Sequence, residues 1–265
     1  MKKYLATAKI LFKAQLIYRF DVILTALGNL WHVLFAWILW GALYEGRTVI
    51  GGMSFQAMLS YYIFSSFLSS IDLSWGVCGE VSGRIRGGTF SKYMVIPANP
   101  QISFCAQSLG ASGYYALFSI IVSVLLTVVL RIRLIITADP LAMLCALVMI
   151  PMGLVFMISY YYFIGILTFK FEDVGFFMHM QGALLSFLTG GIIPLSLLPE
   201  TLLNVVKFLP FTYVYYTPAM LITGRISGRE GLFSLMVLLV WTAAMLLINH
   251  LTYERLRVKY DGVCI

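Results

Sequence analysis

The chain has 265 residues, of which 61% are hydrophobic and only 11% charged, with a mean hydropathy of +0.92 and a formal net charge of +7. Soluble domains carry about 25% charged and about 45–50% apolar residues, and a larger core does not absorb the excess, because surface grows with size and must be wetted. The composition therefore excludes a soluble globular protein and points to an integral membrane protein; nor does the basic balance point to nucleic acid, since the charges flank apolar runs as membrane anchors do.

Residues 2–19, KKYLATAKILFKAQLIYR, repeat Leu5, Ala8, Phe12 and Leu16 at three- to four-residue spacing. At about 100° per residue Lys2, Lys9 and Lys13 fall in a narrow arc beside that stripe. This predicts an amphipathic interfacial helix over residues 1–20, lying with its apolar side in the membrane; the alternative is a plain cytoplasmic start to the first span. The stretch has no unbroken apolar core or small-residue cleavage site, so no cleavable signal peptide is expected.

A crossing helix needs about 20 mostly apolar residues. Six runs qualify, near 21–44, 54–75, 101–130, 139–168, 174–196 and 231–252. With both termini cytoplasmic, 12 of the 18 Lys and Arg residues lie inside and 6 outside (Arg47, Arg131, Arg133, Lys207, Arg225 and Arg229), and the richer side is expected to be cytoplasmic. Arg131 and Arg133 run against the rule and are expected to snorkel to headgroups from the end of a long helix.

Between the second and third runs lies GVCGEVSGRIRGGTFSKYMVIPANP, residues 76–100, a compact basic insert. A helical turn running through Arg84 and Arg86 is broken by Gly87-Gly88, Thr89 or Ser91 caps a short turn after it, and Pro97 and Pro100 lay the chain across the interface. The window 84–100 holds Arg84, Arg86 and Lys92 and no carboxylate. A docked partner explains such a surface; an anchoring loop without one is the plainer reading.

After the fifth run, Pro194, Pro199, Pro210 and Pro218 fall within about 25 apolar residues, too many for one straight helix, because each lacks a donor and clashes with the preceding turn. Freed backbone groups are tolerated only where protein or a wet cavity surrounds them. Residues 194–222 are therefore expected to form short re-entrant helices on the outer face. The fold class expected is an all-α membrane protein of one domain, with six spans, the interfacial helix, a cytoplasmic helix near 84–93 and these re-entrant pieces.

The chain carries no GxxxxGK[ST] phosphate loop, no HExxH and no GxSxG. Its four cysteines (Cys78, Cys105, Cys145 and Cys264) lack paired spacing, so neither a disulfide framework nor a zinc site is expected. No catalytic constellation appears, and any energised work must draw on another chain. Ionisable groups inside spans are functional hypotheses by default. His32 reads either as a polar contact in a translocation path or, the favoured option, as a neutral imidazole bonded to a neighbouring helix. Asp72 and Glu80 read as helix-end charges. Trp37 and the tyrosines Tyr160 and Tyr161 either line a path for an amphiphile or, more commonly, serve as packing and belt residues. The small residues Gly110, Ala111, Ser112 and Gly113 suggest close helix approach in the third span; Gly182, Gly190 and Gly191 either do the same in the fifth or loosen it before its break.

IRGGTFSKYMVIPANP after the second run, GGIIPLSLLPETLLNVVKFLPFTYVYYTPAMLITG after the fifth and the basic tail RLRVKYDG occur in an order that resembles the membrane-spanning permease subunit of bacterial ATP-binding-cassette exporters of the type-2 class, in its six-span branch of about 260 residues. The resemblance implies that two permeases, identical or sister chains, pair in the cell membrane and are driven by separate cytoplasmic ATPase subunits that hold the ATP and Mg. It implies that Arg84, Ile85, Arg86, Gly87, Gly88, Thr89, Phe90, Ser91, Lys92 and Tyr93 form the helix that couples to the ATPase. Lys170, Glu172 and Asp173 would form a second cytoplasmic contact, and the segment with Pro194, Pro199, Pro210 and Pro218 an outer gate. The ending DGVCI departs from the glycine-rich finish expected. A secondary carrier or channel is the alternative; it predicts paired intramembrane carboxylates and inverted repeats, which the sequence lacks. An intramembrane enzyme or assembly factor is the third class.

Overall fold

The computed structural model describes residues 2–17, 19–171 and 174–259, and no strand occurs among the described residues. Helix α1 (Lys2–Ala14) leads into α2 (Arg19–Leu43), and a loop returns the chain to α3 (Phe55–Ile71), continued past a bend by α4 (Ser74–Arg86). The short α5 (Ser91–Val95) precedes α6 (Pro100–Val129), an extended segment leads to α7 (Pro140–Ile166), and a 3-10 turn, Leu167–Phe169, follows. Then come α8 (Gly175–Leu188), α9 (Glu200–Phe208), α10 (Tyr216–Ile222) and α11 (Gly228–Leu256).

Four stretches are long and apolar enough to cross a bilayer: Ile23–Leu43, Pro100–Val129, Pro140–Phe169 and Gly228–Leu256. A pair bent by 85°, Glu200–Phe208 with Pro210–Ile222, makes up to five. Two of the six expected runs are not continuous helices of spanning length. The second stops at Ile71 after 17 residues, where Asp72 leaves the helical region and its Oδ1 accepts the N–H of Ser74 at 2.9 Å, starting α4 at a new angle. The fifth, expected to reach residue 196, stops at Leu188 after 14 residues. Gly190 takes φ +76°, and a Cβ there would lie 2.6 Å from the Tyr61 hydroxyl, so the turn and its close contact both require glycine.

One end of the bundle carries the loops 44–54, 130–139 and 223–227; Arg133 N–H donates to Gln56 Oε1 at 2.9 Å and ties the second to the start of α3. The opposite end carries α5, the Leu167–Phe169 turn and the end of α11. The proline-rich segment enters and leaves at the loop end. Leu197 abuts Gly51 on the way in, and on the way out Thr137 N–H donates to Ile222 O at 2.7 Å and Arg225 Nη1 to Gly52 O at 3.0 Å. At its inner tip Val214 lies against Gly153, whose missing Cβ would stand 3.3 Å from Val214 Cα. Gly153 is 13 residues along α7 from Pro140, so at about 1.5 Å per residue the tip descends about 20 Å.

Such a break inside a bundle must satisfy its own backbone. Hydroxyls do it here: Tyr61 Oη donates to Gly190 O at 2.6 Å, Tyr62 Oη to Ile192 O at 2.9 Å, Tyr213 Oη to Lys207 O at 2.6 Å and Thr212 Oγ1 to Val206 O at 2.8 Å. At the loop end one carboxylate serves two helix starts. Asp139 Oδ1 accepts Leu141 N–H and its Oδ2 accepts Gly228 N–H, both at 2.9 Å, fastening the N-termini of α7 and α11, which then pack along each other.

Helix α1 lies along α6. The Ala8 backbone sits on Gly110, where a Cβ would come within 2.2 Å of Ala8 O, and Phe12 packs edge-on to Tyr114 at 5.5 Å. The expected apolar stripe is therefore divided: Ala8 and Phe12 face α6, while Leu5 and Leu16 remain 70% and 57% exposed. The close approach read from Gly110–Gly113 has α1 as its partner.

Candidate coupling site at the basic end

Residues 84–93 span the junction of α4 and α5. Arg84 and Arg86 close α4, Gly87 caps it, and Gly88 takes φ +70° in the turn. Phe90 N–H reaches back to Arg84 O at 3.0 Å, and the Ser91 hydroxyl to Gly88 O at 2.9 Å. The expectation that Thr89 or Ser91 caps the next helix needs correcting: the N-cap of α5 is Phe90, without a side-chain cap, and both hydroxyls donate backwards to carbonyls instead.

Phe90 is the anchor. It is fully buried, with ring centroids 5.4 Å from Tyr93, 5.3 Å from Phe169 and 6.3 Å from Tyr253. One side chain thus joins the turn, the loop after α7 and the end of α11. Thr168 Oγ1 donates to Ser82 Oγ at 3.0 Å, and Gly165 lets Val81 against α7 where a Cβ would sit 2.8 Å from Val81 Cβ. From the other side the Lys3 ammonium donates to Pro97 O, and Tyr4 Oη accepts Asn99 N–H at 2.9 Å, so α1 holds the strap behind α5.

The two expected cytoplasmic contacts are therefore brought together. Ile85, Gly88 and Phe90 point inward and are buried; Arg86, Gly87, Thr89, Ser91 and Lys92 are exposed, and Tyr93 is half-buried. Lys170 is exposed, its ammonium 5.2 Å from the Phe171 ring centroid, while Glu172 and Asp173 lie outside the described residues. Arg84 is already engaged: its Nε and Nη2 both donate to Glu80 Oε1, at 3.1 and 2.7 Å, and its guanidinium lies 5.6 Å from the Tyr93 ring centroid. A carboxylate one helical turn earlier supplies what the window 84–100 lacks. The most exposed apolar pair of this surface is Val95 at 84% and Ile96 at 54%, at the end of α5 three residues after Lys92. Sequence reading passed over it, although two β-branched residues before a proline on a polar loop are a visible signal.

The expected path residues do not share a site. His32 Nδ1 is 2.6 Å from Ser66 Oγ of α3, and its ring stacks obliquely on Tyr62, whereas Trp37 on the same helix is 40% exposed on the outward face. Tyr160 and Tyr161 belong to a different cluster near the middle of the bundle. There Tyr160 Oη donates to Gln181 Oε1, Phe211 packs edge-on to Tyr160 at 5.2 Å, and the Tyr215 hydroxyl donates to Asp72 Oδ2. Asp72 therefore starts α4 with one oxygen and holds the inner tip of the re-entrant segment with the other. Of the four prolines, Pro194 and Pro199 precede helical turns, Pro210 opens the 3-10 turn Pro210–Tyr213, and Pro218 sits in the first turn of α10, positions where no helical N–H is needed.

A bundle of apolar helices, interrupted by a proline-broken segment and carrying a braced basic platform at its opposite end, defines a multi-pass membrane protein. Residues 30–263 match a family model described as ABC-2 family transporter protein, and the chain belongs to that family. It is thus a permease component of an ABC transporter, a membrane transport part whose family membership implies an ATPase partner. Neither a search of curated proteins nor one of solved structures returns a match.

Proposed function

We propose that this chain is the permease of an ATP-driven exporter. It pairs with a second permease, a copy or a sister chain, to form the path, and couples to separate cytoplasmic ATPase subunits that bind ATP and Mg. In this reading both termini and the basic end are cytoplasmic, and there are six crossings: α2, α3 with its continuation α4, α6, α7, α8 and α11. The segment 194–222 is the outer gate.

The observation that carries the reading is the platform at the basic end. A docking site that transmits force needs an exposed face on a stiff base. Val95, Ile96, Arg86 and Lys92 are exposed, and Phe90 beneath them is buried against two other elements. An apolar patch of this kind ringed by polar groups has the core-and-rim pattern of a protein interface. Closure of an ATPase dimer against residues 84–96 would move α4, and Asp72 at the head of α4 would carry that movement to Tyr215 and the gate as one rigid-body switch.

The test is affinity purification of the tagged chain from its own membranes. Wild type is expected to bring down an ATPase and to transport only with ATP. The double substitution Val95→Ser with Ile96→Ser is expected to lose the ATPase while keeping wild-type thermal stability. Purification without any ATPase, or transport indifferent to ATP, refutes the reading in favour of a gradient-driven carrier.

A further inference from the structure

At the loop end a cavity of about 1060 Å³ opens between α9, α10 and the start of α11. Its lining is cationic. Lys207, Arg225 and Arg229 line it against a single carboxylate, Glu230, which already accepts the N–H of Ser227 in a capping box. Among the described residues no ion pair engages any of the three cations; Arg225 spends one N–H on Gly52 O.

Along α11 the wall turns apolar in a regular way. Arg229, Phe233, Val237 and Trp241 all line the cavity and follow one another at four-residue intervals along α11. A groove therefore descends three turns from the charge, about 18 Å at 1.5 Å per residue. Phe208 forms the facing wall and meets Trp241 edge-on at 6.3 Å. Phe208 and Phe233 are 74% and 69% exposed, so the groove is open.

The geometry points to a binding site for an anionic amphiphile: a negatively charged headgroup held by Lys207, Arg225 and Arg229, with its acyl chain laid along Phe233, Val237 and Trp241. Charge complementarity selects the headgroup, because the lining carries three cations, two of them (Arg225 and Arg229) just before and at the start of α11, against one occupied carboxylate. The descending apolar face selects a chain-bearing molecule over a small anion, which would leave Phe208 and Phe233 uncovered. The depth matches a span helix, so the chain runs parallel to the membrane lipids while the headgroup stays at the cations. The inference stands apart from the transport reading, since binding is measured with no ATPase or nucleotide present.

The experiment uses the full chain in phosphatidylcholine vesicles containing a minor fraction of either phosphatidylglycerol or phosphatidylcholine brominated near the chain end. The Trp241 signal is isolated by subtracting the Trp241→Phe protein. Brominated phosphatidylglycerol is expected to quench Trp241 preferentially. The preference should fall by on the order of fivefold for each cation removed by Lys207→Gln or Arg229→Gln, following the usual worth of a surface cation near anionic lipid. Lys207→Arg and Arg229→Lys should keep it, and exposed substitutions of this kind leave folding intact, checked by melting temperature. Equal quenching by the two lipids overturns the site. So does a preference that survives the double Gln variant. Loss of the preference on adding inorganic phosphate at a concentration that leaves vesicle surface charge unscreened would also overturn it, marking a small-anion site instead.

Discussion

Placing alanine at Gly110 tests the seat of α1 most directly. A Cβ there stands 2.2 Å from Ala8 O, whereas ordinary contact begins at 3.4 Å, so the α1 backbone must retreat by about 1.2 Å. Overpacking of this kind costs about 1–3 kcal/mol, set against about 1 kcal/mol gained because alanine is the better helix former. Gly113 is the internal control: it lies on the same helix, one turn away, and its Cβ would meet Phe12 Cδ2 at 3.6 Å, an ordinary contact. Gly113→Ala is therefore expected to be neutral or stabilising, while Gly110→Ala loosens α1 and with it the bonds of Lys3 and Tyr4 to the strap behind α5. Hydrogen exchange of residues 2–14 and trypsin cleavage after Lys9 and Lys13 report the seating. Faster exchange and cleavage are expected for Gly110→Ala alone. Equal protection in wild type and both variants would refute the packing of α1 on α6.

Four further outcomes are expected. The carboxyl of Asp139, just outside the first residue of α7, is held below its ordinary value first by the N–H of Gly228, with Leu141 and Ala142 N–H adding to it against a smaller opposing effect of burial. A depressed folded value contributes stability above the unfolded carboxylate value that disappears as pH falls through the folded one, so melting temperature should drop across the acid range in wild type and stay flatter in Asp139→Asn. Gly228→Ala places a Cβ 2.7 Å from both Asp139 Oδ2 and Leu141 Cβ and should lower the melting temperature at neutral pH. Phe90→Ala removes a fully buried ring and should cost about 3–5 kcal/mol locally, seen as raised exchange in residues 84–96 and lost ATPase binding, whereas Phe90→Leu keeps most of both. Tyr215→Phe leaves Asp72 without its hydroxyl donor, a loss of about 1–3 kcal/mol, and should uncouple ATP hydrolysis from transport without releasing the ATPase.

The membrane class, the helical order and the proline-broken segment were legible because each rests on local composition: apolar length, charge flanks and prolines that forbid one straight helix. Where α8 ends was not, because Gly190 breaks the helix only in partnership with Tyr61, which lies 129 residues away in the chain. The same reason hid Phe90, a residue that looks like any aromatic on a basic loop until Phe169 and Tyr253 arrive from two other elements. The pairing of Arg84 was hidden for a different cause. Its partner Glu80 lies at the four-residue helical spacing, but a window opened at Arg84 cuts it off. Tyr61, Tyr62 and Tyr213 carry no signal of their own in the sequence; their hydroxyls serve backbone carbonyls, a use that no periodicity reveals. The loop-end groove was partly in view: Arg229, Phe233, Val237 and Trp241 form a visible series, yet only the fold brings Phe208 across from it.

Those hydroxyl-to-carbonyl bonds also govern how the buried segment is able to move. A carbonyl inside a bundle has no water to fall back on, so surrendering a tyrosine donor is costly until another donor is in reach. Tyr61 and Tyr62 of α3 hold the carbonyls of Gly190 and Ile192 from outside the segment, so a shift of its entry leaves both carbonyls bare until other donors are in reach. In the proposed exporter, a force arriving from the far end would therefore have to exceed the cost of breaking these bonds before the segment shifts. As the gate of the proposed exporter, a segment held in this way would stay shut against the small fluctuations of an idle protein.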